Sequence, residues 1–128
     1  APLKEKYRIS DRYGYRTHPI SGERQFHAGL DMAAVYAATV HAAASGTVTF
    51  AGETPGYGKT VVVTHRFGFQ TRYAHLTLIY TRKGAKVEKG DVIGFVGSTG
   101  ISTGNHLHYE VIKNQKRINP LNFIYGTK

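Results

Sequence analysis

The chain has 128 residues, 41% hydrophobic, 12% aromatic and 20% charged, with a formal net charge of +9. That length can bury one core without staples, and the lack of cysteine excludes a disulfide framework and thiol chemistry, leaving His, Asp and Glu to hold any metal. No apolar run approaches the roughly 20 residues of a membrane-spanning helix, and the positive charge fits either a plain basic surface or a polyanionic partner: nucleic acid, anionic lipid or a wall polymer.

The first stretch, Ala1 to Gln25, is polar and turn-rich; "SDRYGYRTHPISGERQ" has two glycines, a proline and no clear period. Residues 1–12 read as an N-terminal extension. The opening "APLKEKY" lacks Met and resembles no signal peptide, so any export signal, anchor or regulatory segment would lie upstream. The alanine-rich "DMAAVYAATVHAAA", Met32 to Ala44 with Asp31 before it, is the one helix-friendly stretch. From Ser45 onward the texture changes. "SGTVTFAG", "GKTVVVTHR", "GFQTRYAHL", "DVIGFVGS" and "HLHYEVIK" are short β-branched or aromatic runs bounded by Gly, Asp, Asn or Lys. "HRFGFQTRY" reads as two strands turning near Gly68, and "KGAKVEKGDVIGFVG" places a glycine at each change of direction. The expected fold is all-β: an antiparallel sandwich or partly open barrel, one domain over residues 1–128. Basic residues scatter over Lys4 to Arg16, Arg82 to Lys89 and Lys113 to Arg117, with no nucleic-acid motif.

Four of the seven histidines sit in patterned places. In "GNHLHYE", His106 and His108 are two apart, so in a strand they project from one face. They can share a metal, or divide metal binding and proton transfer between them. Glu110 continues that face, either as an exposed strand carboxylate or as the acceptor of a ligand histidine's N–H. "HAGLD" adds His27 and Asp31, an imidazole and a carboxylate suited to zinc, without the His-Glu-x-x-His signature of helical metallopeptidases. "RYAHL" supplies His75, expected on one strand face with Thr71 and Tyr73. Two His and one Asp leave a fourth position open, as catalytic zinc requires, and leave two histidines for proton transfer. His18 reads as a turn residue beside Pro19, His65 as structural and His41 as surface; Arg16 and Tyr57 are candidates for substrate contact or turn packing.

His27-x3-Asp31, "YAHL" and "HLHYE", in that order, resemble the lysostaphin-type (LytM-like) zinc peptidases of bacterial cell walls. The likeness runs from about Tyr13 to Pro120, through "GYRTHPISGERQFHAGLDMAA", "GYGKTVVVTH" and "VEKGDVIGFVGSTGISTGNHLHYEV". It implies a lysostaphin-like peptidase fold, one Zn2+ per chain held by His27, Asp31 and His108, and His75 and His106 as catalytic non-ligand histidines. His106 is assigned as the base and His75 as the oxyanion contact.

The implied substrate is peptidoglycan, through its stem peptides and cross-links, which gives the basic surface a carboxylate-bearing partner. "YGYRTHPISGERQFHAGLDMAA" is most similar to members from Gram-negative bacteria, which implies a D,D-endopeptidase acting between D-alanine and diaminopimelate in the periplasm or cell envelope. A regulatory partner or an upstream inhibitory segment would fit the same family. Three other readings remain: a glycyl-glycine endopeptidase, a non-catalytic wall-binding or amidase-activating domain, and a nucleic-acid-binding barrel, which would leave the histidines unexplained. The glycine-rich "KGDVIGFVGSTG" is also similar to biotin- and lipoyl-carrier barrels, but no lysine sits in a carrier context.

Overall fold

The computed structural model describes residues 1–17, 21–100, 102 and 104–123. Its strands are β1 (Tyr7–Asp11), β2 (Gly14–Thr17), β3 (Arg24–His27), β4 (Leu30–Ala34), β5 (Thr39–His41), β6 (Gly46–Thr54), β7 (Gly58–Thr64), β8 (Phe69–Ile79), β9 (Lys86–Val87), β10 (Val92–Val96), β11 (His106–Lys113) and β12 (Lys116–Ile118). The main sheet runs β1-β4-β11-β8-β7-β6-β9; β10 joins β8 to β5, β12 extends from β11, and β2–β3 forms a separate hairpin. The paired strands are antiparallel. The all-β antiparallel expectation therefore holds. Among the described residues no helix is long and apolar enough to cross a membrane.

Alternation along the strands builds the core. On β11, Leu107, Tyr109 and Val111 enter the same cluster as Leu30 and Met32 of β4, Val61 and Val63 of β7, and Tyr73 and Leu76 of β8. Each fully buried aliphatic side chain contributes about 1.5–3 kcal/mol of transfer free energy. His106, His108 and Glu110 take the alternate positions on β11, which lies between β4 and β8.

Tertiary structure decides four points that the sequence left open or misread. The alanine-rich stretch is no helix: it forms β4, turns at Ala37 (φ 66°) and continues as β5. Pairing with β1, β11 and β10 outweighs its helix propensity, and Ala38 and Ala42 are buried in the core. His41 is not a surface residue but 7% exposed, its ring bonded to Thr39 Oγ1 and the Gly90 carbonyl, each at 2.8 Å. The polar first stretch contains three strands, and residues 1–12 are stitched to the core: β1 pairs with β4, Leu3 is buried, and the His41 N–H donates to the Pro2 carbonyl.

The fourth correction concerns β8. Thr71, Tyr73 and His75 do not share a face. Lys59 pairs with Leu76 but Val61 with Tyr73, so β8 carries an extra residue against β7. His75 sits at that bulge with φ 63°, its N–H donating to the Tyr57 carbonyl at 2.8 Å. A bulge breaks the two-residue alternation and re-aims one side chain. Tyr73 and Leu76 stay in the core, while His75 turns toward His106 and His108.

Candidate metal centre

The site forms where β4 and β11 pair. Asp31 lies opposite His108, and Ala33 opposite His106, so one register brings both "HAGLD" and "HLHYE" to the same place. His27 arrives from the end of β3, and the chain crosses to β4 through Ala28 and Gly29. A Cβ on Gly29 would lie 2.7 Å from the Tyr109 carbonyl oxygen, 2.8 Å from His108 Cε1 and 2.9 Å from Glu110 Cγ. Only glycine lets the backbone pass so close over His108.

Among the described residues, His27, Asp31 and His108 form a group that could hold a metal, with one ligand atom each and all three atoms within 4.8 Å of one another. The His27 Nδ1–H donates to the Arg12 carbonyl at 2.9 Å, which leaves Nε2 facing Asp31 Oδ2 at 3.4 Å. His108 Nδ1 lies 2.7 Å from Asp31 Oδ1, and its Nε2 lies 2.8 Å from Glu110 Oε2. Burial opposes charge on His108, but hydrogen bonds to Asp31 and Glu110 push its pKa up to about 9. Burial likewise opposes the charge on Asp31, yet hydrogen bonds from His108 and His27 hold its carboxyl well below the usual range.

This donor set fits a zinc ion. Two imidazoles and a carboxylate leave a fourth position open. Each imidazole has its other nitrogen engaged by an acceptor, which fixes the ring and its tautomer: a carbonyl for His27 and the Glu110 carboxylate for His108.

His75 and His106 stand beside the group, their ring centroids 4.7 Å apart. The His75 Nδ1–H donates to the Thr99 carbonyl at 2.6 Å, and the His106 Nδ1–H to the Gly104 carbonyl at 3.0 Å, with Ser102 Oγ 3.2 Å away. Carbonyls accept only, so neither Nε2 is used up by these contacts. His106 Nε2 is 3.7 Å from Asp31 Oδ1. Burial lowers the His75 pKa, with His106 and His108 adding to the effect against the Thr99 carbonyl.

The structure thus brings together all five residues singled out in the sequence. Glu110 is not an exposed carboxylate but fully buried. It accepts from His108, from the Tyr57 hydroxyl at 2.9 Å and from Arg117 Nε at 3.2 Å. Tyr57 therefore faces inward rather than presenting its hydroxyl to a substrate. His65 is structural, bonded to the Ser45 carbonyl and to Thr71 Oγ1. His18 lies outside the described residues, and Arg16 is described only as backbone of β2. Sequence reading missed Arg12, Thr99 and Arg117. The first two act through backbone carbonyls, which leave no mark on residue type; the Arg117–Glu110 pair follows from the β11–β12 hairpin, where Val111 pairs with Ile118 and Ile112 with Arg117.

Residues 25–120 match the model of a family described as Peptidase family M23. The chain is 48% identical over 120 residues to the DD-carboxypeptidase/endopeptidase Mpg of Neisseria meningitidis serogroup B, a match covering 94% of this chain and 28% of that protein. A zinc-containing peptidase from Vibrio cholerae superposes with a TM-score of 0.84 at 34% identity, over 92% of this chain and 37% of that one. The catalytic domain of lysostaphin from Staphylococcus simulans gives 0.82 at 30% identity, over 91% of each chain. The chain thus spans under a third of the length of the Neisseria relative.

Proposed function

The chain belongs to peptidase family M23, and from that premise we propose that it is a zinc-dependent D,D-endopeptidase of peptidoglycan, hydrolysing cross-links between D-alanine and diaminopimelate in the periplasm or cell envelope. The observation that carries the reading is the convergence of the three ligand atoms of His27, Asp31 and His108 with two further histidines anchored through Nδ1. A structural zinc site is closed and needs no such neighbours; a catalytic one keeps a position open and needs groups that move protons.

In this reading His27 through Nε2, Asp31 through its carboxylate and His108 through Nδ1 hold the ion. Zinc supplies a Lewis acid for the scissile carbonyl and lowers the pKa of water to about 7. His75 and His106 handle the protons. With Nδ1–H tied to a carbonyl, each neutral ring accepts a proton at Nε2, and the resulting imidazolium donates it to the leaving amine or to an oxyanion. The tied Nδ1 holds each ring in place, so no orientation has to be found during turnover. His106, whose Nε2 approaches Asp31, takes the part of base, and His75 that of oxyanion contact. The net charge of +9 favours a substrate rich in carboxylates. The D,D-specificity is supported by the likeness to a DD-carboxypeptidase/endopeptidase.

The test is digestion of cross-linked muropeptides by the purified chain, read by mass spectrometry with and without chelator. Chelator-sensitive conversion of dimers to monomers is expected, the product masses naming the bond. Cleavage of pentaglycine bridges instead would move the reading to a glycyl-glycine endopeptidase. No cleavage together with no zinc uptake would sink the enzyme reading and favour a wall-binding role.

A further inference from the structure

Glu110 is a charged side chain with no exposure at all, and its two oxygens are divided. Oε2 accepts from His108 Nε2 and from the Tyr57 hydroxyl. Oε1 accepts from Arg117 Nε and faces Arg72 Nη1 at 4.0 Å. A buried carboxylate persists as an anion only when its lone pairs are matched this fully. The partners are themselves locked: the Arg72 guanidinium lies over the Tyr57 ring at 4.8 Å, that ring is tilted against His108 at 5.6 Å, and the Arg117 carbonyl accepts from the Tyr13 hydroxyl at 3.0 Å. Gly29 closes the remaining side, its missing Cβ leaving just enough room for His108 and Glu110.

Resting on the zinc reading above, we infer that Glu110 is a positioning residue for the metal: it holds His108 with Nε2–H toward itself and Nδ1 toward the ion, while Arg117 and Tyr57 hold Glu110 in place. Strand β12, which supplies none of the three ligands, thereby becomes part of the metal site through Arg117.

The test compares the full chain with Glu110→Gln, which keeps the shape and an acceptor oxygen, and Glu110→Ala. Zinc affinity is measured by competition with a chromogenic chelator, and the His108 ring nitrogens are followed by 15N NMR in the zinc-loaded parent. Expected are a proton on His108 Nε2 in the parent, zinc affinity lowered about 10–100-fold in Glu110→Gln, and at least as large a loss in Glu110→Ala. A folded Glu110→Gln with the parent's affinity would overturn the inference. So would a parent in which His108 carries its proton on Nδ1, a result that stands even if both variants fail to fold. A parent that takes up no zinc would instead sink the zinc reading on which the inference rests.

Discussion

Strand β8 serves two histidine clusters, and they are built on opposite principles. On the core side of its bulge, hydrogen bonds run in an unbroken chain. The Ala43 N–H donates to the Tyr73 hydroxyl, Tyr73 to Thr71 Oγ1, Thr71 to His65 Nε2, and the His65 Nδ1–H to the Ser45 carbonyl. Every donor in the chain meets an acceptor, and the chain requires a neutral His65. At the bulge, the hydrogen bonds of His75 and His106 among the described residues run through Nδ1, and the candidate ligand atoms of His27, Asp31 and His108 crowd against one another. The difference teaches where chemistry can reside: the first cluster uses its bonding capacity internally, whereas the second keeps ring nitrogens and a carboxylate together with capacity to spare, which is what the proposed function requires.

The largest effects come from breaking the second cluster. His27→Ala, Asp31→Ala and His108→Ala should each abolish zinc binding and cross-link cleavage, measured by metal analysis and muropeptide digestion. His75→Ala and His106→Ala should keep zinc while turnover falls by about 10²–10⁴; loss of zinc in either would refute the division of roles. Next is Gly29→Ala. Its Cβ would push on Tyr109, His108 and Glu110, so denaturant unfolding should show a loss of about 1–3 kcal/mol, together with weaker zinc affinity.

A smaller effect separates function from strain at the bulge. His75 holds a left-handed backbone, which costs a non-glycine residue roughly 1–2 kcal/mol. His75→Gly should therefore unfold about 1 kcal/mol later than His75→Ala, while both remain inactive. Equal stability would mean the bulge relaxes once the imidazole is gone.

The smallest effect sharpens the contrast through pH. Burial pulls the pKa of His65 below its ordinary 6.5, outweighing the Ser45 carbonyl. The folded state thus binds the proton less readily than the unfolded chain, and the stability from neutral His65 is whole above pH 6.5 and lost as pH falls through it. His65→Gln should cost about 1 kcal/mol at pH 7 by removing hydrogen bonds, and its unfolding midpoint should fall less than the parent's between pH 7 and pH 5. Parallel midpoints would show that His65 is not held neutral.

Much of this was legible in the chain itself. The strands from Ser45 onward and the projection of His106 and His108 from one face follow from local alternation, which depends on residue type and spacing alone; which histidines join Asp31 in a ligand set came from the resemblance to lysostaphin-type peptidases, because donor chemistry treats His106 and His108 alike. Tertiary structure decided the rest. Whether Met32 to Ala44 is helix or strand was settled by β4 pairing on both sides, because alanine favours helix and only neighbouring strands can override it. Whether Glu110 is exposed was settled by Arg117, Tyr57 and Arg72 closing over it, since alternation says which face a side chain takes but not what covers that face. His75 faces His106 and His108 because of one extra residue in β8. A bulge is a relation between two strands, so it cannot be read from either strand alone.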